Sequence, residues 1–212
     1  MKKLLFLVVC IYINIVYAAP TKNEDRVYLN DLNSCKVTKP FLNDYEPEKF
    51  QLTNNLLRST GNQPIYCGQK IIVKGRLLDI NCVPIADAKI YLWQIGCDGK
   101  YPYKALRKNI DKSAFNLTNA STFQGSGIAT TNNLGEFYFL TILPPSQKHE
   151  SSNVNVRVEH RTLGTLQTKL HFSSDKLNLE QEDVNQLLGD MMEDAPIYNF
   201  EIVMPRQSLK NY

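Results

Sequence analysis

Residues able to hold a metal or act as nucleophiles are few in this chain. Its 212 residues include three histidines, His149, His160 and His171, and five cysteines. A site built on several imidazoles is therefore short of material. A two-histidine, one-carboxylate site can be drawn from His149, Glu150 and one further group, but no spacing favours it. Each histidine reads as a surface or core residue. There is no CxxC pair, Walker motif, Rossmann glycine pattern or nucleophile elbow. Lys104 to Lys112 is locally basic but lacks interleaved aromatics, so no nucleic-acid partner is expected. Asn116-Leu117-Thr118 and Asn119-Ala120-Ser121 are glycosylation sequons, which matter only in a eukaryotic secretory pathway.

The cysteines say more. Lys2 and Lys3 precede an almost wholly apolar run from Leu4 to Val16, and Val16-Tyr17-Ala18 supplies a small-residue cleavage site. Residues 1–18 thus have the layout of a secretory signal peptide. The run falls short of the ~20 residues of a spanning helix. An uncleaved anchor, or a lipoprotein built on Cys10, are the alternatives. Cleavage removes Cys10 and leaves Cys35, Cys67, Cys82 and Cys97. An even count in an exported chain, periplasmic or secreted, suggests two disulfides. Four buried thiols in a reducing compartment are the other possibility. The full chain has a net charge of +3. Loss of Lys2 and Lys3 leaves it nearly neutral, without steering toward an anionic partner. No membrane span is expected after cleavage.

The elements that must position these groups are mainly strands. With 43% hydrophobic and 21% charged residues the chain is an ordinary globular mixture. Residues 19–55 read as a polar arm, and Pro47 to Arg58 is expected to hold a short helix carrying Phe50, Leu52, Leu56 and Leu57. From Lys70 the period becomes that of strands. Ile71, Val73 and Leu77 alternate to Asp79. Asn81 to Pro84 is turn chemistry. Ala88, Ile90 and Leu92 alternate with Tyr91 and Trp93, so that strand is expected to be covered on both faces. Residues 102–124 form a long polar loop, functional or mobile by its length. Strands follow at 128–131, 137–142, 153–158, 166–172 and 197–204. A capping box at Asn178 and Gln181 introduces a helix with Val184, Leu187, Leu188 and Met191. The pattern predicts a β-sandwich with one or two peripheral helices and a tail at 206–212.

The strands also restrict the cysteine pairing. Cys67 and Cys82 flank one strand, and Cys82 and Cys97 flank the next. A strand of ~9 residues separates its ends by roughly 30 Å, whereas a disulfide needs Cα atoms within ~7 Å. Only Cys67–Cys97 with Cys35–Cys82 survives, and an antiparallel hairpin of the two strands would bring Cys67 beside Cys97.

Several segments carry a family resemblance. Gly75-Arg76-Leu77-Leu78-Asp79, Cys82-Val83-Pro84-Ile85, Ala88 to Gln94, Asp98-Gly99-Lys100-Tyr101, Phe123-Gln124-Gly125 and Gly135 to Pro144 together resemble the core of the intradiol ring-cleavage dioxygenases, such as protocatechuate 3,4-dioxygenase and catechol 1,2-dioxygenase. Thr168 to Phe172 and Tyr198 to Ile202 are similar to later strands of that fold. The resemblance covers about residues 56–205. It implies an intradiol-dioxygenase-like antiparallel β-sandwich. It also implies a ferric ion held by two tyrosinates and two histidines, on which a catecholate is cleaved by dioxygen between its hydroxylated carbons.

On that resemblance the first tyrosine ligand is Tyr101. The second tyrosine position falls on Gln147. The two histidines, spaced as His-x-His, fall on Asn153 and Asn155, whose alternation keeps both on one face. An arginine that helps polarise substrate falls on Glu150, and a later glutamine on Lys169. One of four ligand types is kept, and Glu150 and Lys169 are placed to pair with each other. The expectation is an exported family member that binds or scaffolds with no cofactor, a small aromatic molecule being one candidate ligand. The alternatives are an active dioxygenase holding Fe(III) through an atypical site, and a transthyretin-like module that shares the early hairpin.

Overall fold

In the computed structural model of the chain, residues 34–59, 61–118, 120–147, 150–178 and 195–206 are described. The expected signal peptide, His149, Asn119 of the second sequon, the expected helix after Asn178 and the tail beyond Arg206 lie outside them.

Among the described residues eight strands form two four-stranded sheets packed face to face. They are β1 (Lys70–Leu78), β2 (Lys89–Trp93), β3 (Ser126–Thr130), β4 (Glu136–Ile142), β5 (Asn153–His160), β6 (Gly164–His171), β7 (Leu177–Asn178) and β8 (Ile197–Val203). The first sheet runs β4-β1-β8-β7 and the second β3-β2-β5-β6. Pairing is antiparallel except for β1 with β8, which run parallel. The expected sandwich is therefore present, with one parallel pair inside it.

Alternation decides what fills it. Ile71, Val73 and Leu77 of β1, Ile90 and Leu92 of β2, and Val154, Val156 and Val158 of β5 are all wholly buried in the shared core. Full burial of each such side chain contributes about 1.5–3 kcal/mol before entropy is charged against it. Gly75 takes an inward position opposite Phe137, where a Cβ would lie 2.0 Å from the ring. Glycine there lets the aromatic ring occupy the space between the sheets.

The helix expected over residues 47–58 does not form. Phe50, Leu52, Leu56 and Leu57 are not at helical spacing throughout, and Leu52 is exposed while Leu56 and Leu57 are buried. The backbone here is committed elsewhere. Leu56 N–H donates to Leu140 O, Leu140 N–H to Asn54 O, and Ile128 N–H to Thr53 O. The segment thus bridges β4 and β3 and closes one side of the sandwich. Among the described residues the helical structure is two short 3-10 turns, at Lys112–Ala114 and Ser174–Lys176.

The arm closes the opposite side. Thr38 N–H donates to Val203 O, and Phe41 N–H to Gln167 O. Beyond that point residues 43–50 lie over the outer face of the second sheet.

Both disulfides have the predicted pairing, with Cα–Cα distances of 5.2 Å for Cys35–Cys82 and 5.9 Å for Cys67–Cys97. The reason differs in one respect. β1 and β2 are not a hairpin but belong to different sheets. The Asp79 carboxylate accepts from the N–H groups of Asn81 and Val83 and reverses the chain. Cys82 and Asp87, both in the left-handed region at φ 62° and 57°, then lead it across to the second sheet. Cys67–Cys97 is a staple between sheets.

Candidate functional site

The outer face of the second sheet positions the candidate residues. In β5 the valines point inward, so Asn153, Asn155, Arg157 and Glu159 point outward. Register places Asn155 between Trp93 of β2 and Lys169 of β6, and Asn153 opposite His171. Trp93 is fully buried although it faces away from the core, as the apolar residues on both faces of β2 predict. A second apolar cluster covers it: Ile95 and Tyr101, with Tyr45, Phe50, Tyr103 and Phe115 around them.

Tyr101 is delivered to this face by a tight turn. Gly96 N–H donates to Lys100 O, and Gly99 sits at φ 74°. The Asp98 carboxylate accepts from Lys100 N–H. The chain then folds back on itself, with Tyr101 N–H donating to Ala114 O and Asn116 N–H to Tyr101 O. The long loop expected at 102–124 is in this way tied to the site. The Tyr101 ring stacks on Tyr45 at 5.2 Å, and Tyr103 and Phe115 lie 5.5 Å away. Burial pushes the Tyr101 phenol above its ordinary pKa. The Asn43 and Asn155 amides beside it pull the other way, and Tyr45 and Glu150 add to the rise.

Gln147 and Glu150 are joined by reciprocal backbone hydrogen bonds of 2.9 and 3.1 Å. Ser152 Oγ donates to Pro144 O and holds this loop against the end of β4. The Lys169 ammonium forms an ion pair with the Glu150 carboxylate. The Lys169 side chain is only 8% exposed against 37% for Glu150. Its Nζ also lies 4.0 Å over the Phe41 ring. Asn155 Nδ2 reaches Trp93 O at 3.5 Å, while its Oδ1 is buried without a partner among the described residues.

Tyr101, Gln147, Glu150, Asn153, Asn155 and Lys169 converge on one cavity of about 420 Å³. Phe41 to Tyr45 of the arm supply one wall. Every position singled out on the resemblance is thus in one place. The arm residues were not foreseen, because their only signal was aromatic content without a period. The two described histidines, His160 and His171, do not join them. His160 Nδ1 accepts from Thr162 and Leu163 N–H at the far end of β5, and His171 is exposed with Nδ1 3.1 Å from Ser151 Oγ. Among the described residues no three His, Cys, Asp or Glu side chains group as metal ligands. A larger hollow, about 610 Å³, lies on the outer face of the first sheet among Lys74, Arg76, Glu136 and Glu201 and contains none of the candidate residues.

The dioxygenase family model matches residues 43–182. A Rickettsia felis protein, whose name assigns it provisionally to the dioxygenases, is 45% identical over the whole of both chains. The protocatechuate 3,4-dioxygenase beta chain of Burkholderia cepacia is 31% identical over 101 residues, covering 48% of this chain and 38% of that one. Among solved structures, an intradiol ring-cleavage dioxygenase from Tetranychus urticae superposes with a TM-score of 0.60 at 15% identity, covering 84% of this chain and 98% of that one. At that identity the likeness speaks for the fold.

Proposed function

The chain belongs to the intradiol ring-cleavage dioxygenase family, and from that premise we propose that it is an exported, non-catalytic member that uses the cleft to bind a small molecule. The observation that carries this reading is Lys169. A nine-tenths buried ammonium lies in the cleft, where the family's chemistry calls for a trivalent cation. Paired with Glu150, it fills the cleft without adding the net anionic charge that offsets a ferric ion's.

The donors around it do not fit ferric iron either. Gln147, Asn153 and Asn155 present neutral carboxamides, whereas Fe(III) is stabilised by anionic phenolates and by imidazoles. Tyr101 is the one phenol among the ligand positions, and burial holds its proton more tightly than usual. Glu150 is engaged with Lys169.

What these residues do is bind. The carboxamides offer donors and acceptors to a solute, the aromatic wall offers apolar contact, and the ion pair offers one fixed donor and one fixed acceptor. Export is supported by the two disulfides, which persist in oxidising compartments. Among the described residues no helix is long and apolar enough to cross a membrane.

The test is iron analysis of the purified protein after aerobic incubation with iron, alongside its visible spectrum and its oxygen uptake with catechol and protocatechuate. The expected result is substoichiometric iron, no tyrosinate charge-transfer band and no oxygen uptake. Stoichiometric iron with such a band, lost in Tyr101→Phe, overturns the proposal and restores an enzyme with an atypical ligand set.

A further inference from the structure

We infer that the cavity takes a neutral polyhydroxylated ring, a monosaccharide or the terminal sugar of a glycoside. This rests on the reading of the cleft as a binding site and names its ligand class.

Size sets the first limit. About 420 Å³ lies within the ~300–1,000 Å³ range of small-molecule sites. Composition sets the second. Six of the lining residues are carboxamides: Asn43, Gln94, Asn109, Gln147, Asn153 and Asn155. Gln94 is consumed internally, its Nε2 donating to Ile142 O and its Oε1 accepting from Thr141 Oγ1. Asn43 Oδ1 accepts from Trp93 Nε1 and Tyr45 N–H. Asn109 and Gln147 are exposed at the cavity, and Asn153 commits only its Nδ2, to Ser151 O. Asn109, Gln147 and Asn153 thus keep hydrogen-bonding capacity for a solute, and the buried Asn155 Oδ1, unpartnered among the described residues, makes a fourth amide that does.

A carboxamide both donates and accepts, and so does each hydroxyl of a sugar. A ring bearing hydroxyls on most of its edge can satisfy several such groups at once. A catechol has only two hydroxyls, on adjacent carbons, and leaves the other amides facing carbon. Desolvating polar groups without partners costs about 1–3 kcal/mol each, which selects against such a ligand.

Charge sets the third limit. Lys169 is neutralised by Glu150, and Asp44 by Arg107 at 2.7 Å. The remaining lining charge is the Asp111 carboxylate, which accepts from Ser113 N–H and Oγ. Nothing is left over to hold an anion. Glu150 and Lys169 remain useful to a neutral ligand, since a carboxylate and an ammonium form the stronger, charge-assisted hydrogen bonds to hydroxyls. The apolar side of the cavity, with Phe41, Tyr45, Ile95 and Ile110, suits the C–H face of a sugar ring.

The experiment uses the mature full chain and four probes: methyl glycosides of glucose, galactose and N-acetylglucosamine, and catechol. Binding is read by saturation-transfer NMR and by the emission of Trp93, the only tryptophan in the chain. Trp93 reports because its Nε1–H is bonded to Asn43 on the cavity wall. At least one glycoside is expected to bind saturably. Gln147→Ala, an exposed change, is expected to weaken it three- to tenfold with the melting temperature unmoved. Asn153→Ala is expected to weaken it at least as much. Saturable binding of catechol without any glycoside overturns the sugar assignment and leaves the binding cleft standing. Silence with all four probes overturns the sugar assignment together with the binding reading. Glycoside binding unaffected by both substitutions places the sugar elsewhere and overturns the assignment.

Discussion

Lys169 and Glu150 are unequal partners, and the inequality makes a prediction. Removing the carboxylate leaves an ammonium that is 8% exposed, with the Phe41 ring still beside it. Removing the ammonium leaves a carboxylate that is 37% exposed and can recover water. Breaking a fully buried pair costs about 3–5 kcal/mol; with one partner partly solvated the cost is smaller. Glu150→Gln is expected to destabilise by about 2 kcal/mol and Lys169→Met by less than half of that, measured by urea unfolding at pH 7. Equal losses would mean that the ammonium is solvated after all. Tyr101 and Tyr103 make a second prediction. Burial raises both phenols above pH 10, Tyr103 well above it. The folded state therefore holds these protons after the unfolded chain begins to lose them. Their contribution is complete below pH ~10 and falls away as pH rises toward the folded values. Unfolding free energy should drop steeply above pH 10, and Tyr101→Phe should make the drop shallower. An unchanged slope in the variant would remove Tyr101 from this effect. Asn153 and Asn155 could be placed on one face from the sequence because strand parity is a local rule, and Tyr101, Glu150 and Lys169 could be set beside them only through the family resemblance. Asn43, Tyr45 and Phe41 could not, because what brings them to the cavity is a crossing between segments far apart in the chain.

The stretch of arm from Glu46 to Phe50 is fastened to the second sheet by Arg157. Its guanidinium lies 4.2 Å over the Tyr91 ring and 5.7 Å from the Phe50 ring. It bonds Glu46 at 3.1 Å and Glu159 at 2.7 Å. Loss of this side chain leaves two carboxylates without their cation and removes the cation–π contact. Arg157→Met is expected to cost about 3 kcal/mol. Glu46 behaves differently. Its desolvation outweighs the attraction of Arg157, so its pKa is raised above 4.5. A raised carboxyl contributes stability below the unfolded value and loses it as pH rises through the folded one. At pH 7 the ionised form is already the costly one, and Glu46→Gln is expected to change stability by less than about 1 kcal/mol. Chemical unfolding of both variants at pH 4 and pH 7 measures this. A Glu46→Gln loss as large as that of Arg157→Met would show that the pair, not the guanidinium alone, fastens the arm. The strands of this element were legible because each shows one apolar face, Val154, Val156 and Val158 being the plainest case. Residues 47–58 were not. A few apolar residues without a clear period are compatible with helix or with an extended bridge, and only the partners Leu140 and Ile128 decide between them.

At the scale of the molecule the two disulfides divide the work of closure. Cys67–Cys97 ties the entry of β1 to the exit of β2 across the sandwich, and Cys35–Cys82 ties the start of the described arm to the turn after β1. Their sequence separations of 30 and 47 residues imply similar chain-entropy contributions, about 4 kcal/mol each. Their consequences should differ, because the sheets have an extensive buried core behind them and the arm has little. Past Cys35 the arm is held to the sandwich by a few hydrogen bonds, among them Thr38 with Val203 and Phe41 with Gln167. Cys67→Ser with Cys97→Ser is expected to lower global stability while leaving the native arm protected. Cys35→Ser with Cys82→Ser is expected to expose residues 34–50 to limited proteolysis while the sandwich stays folded. The same loss should weaken any ligand held between Tyr45 and Lys169, since the arm forms that wall. Non-reducing peptide mapping, followed by proteolysis of each variant, checks the chain of reasoning. A mapped Cys82–Cys97 pair would contradict the crossing between sheets. Equal protection of the arm in both variants would show that hydrogen bonds and Arg157 alone close the cleft. The strands on either side of Cys82 limited the pairing from sequence alone, because a strand cannot bring its own two ends together. The sheet assignment of β1 and β2 stayed hidden, because an antiparallel hairpin and an antiparallel crossing between sheets bring the same cysteines into reach.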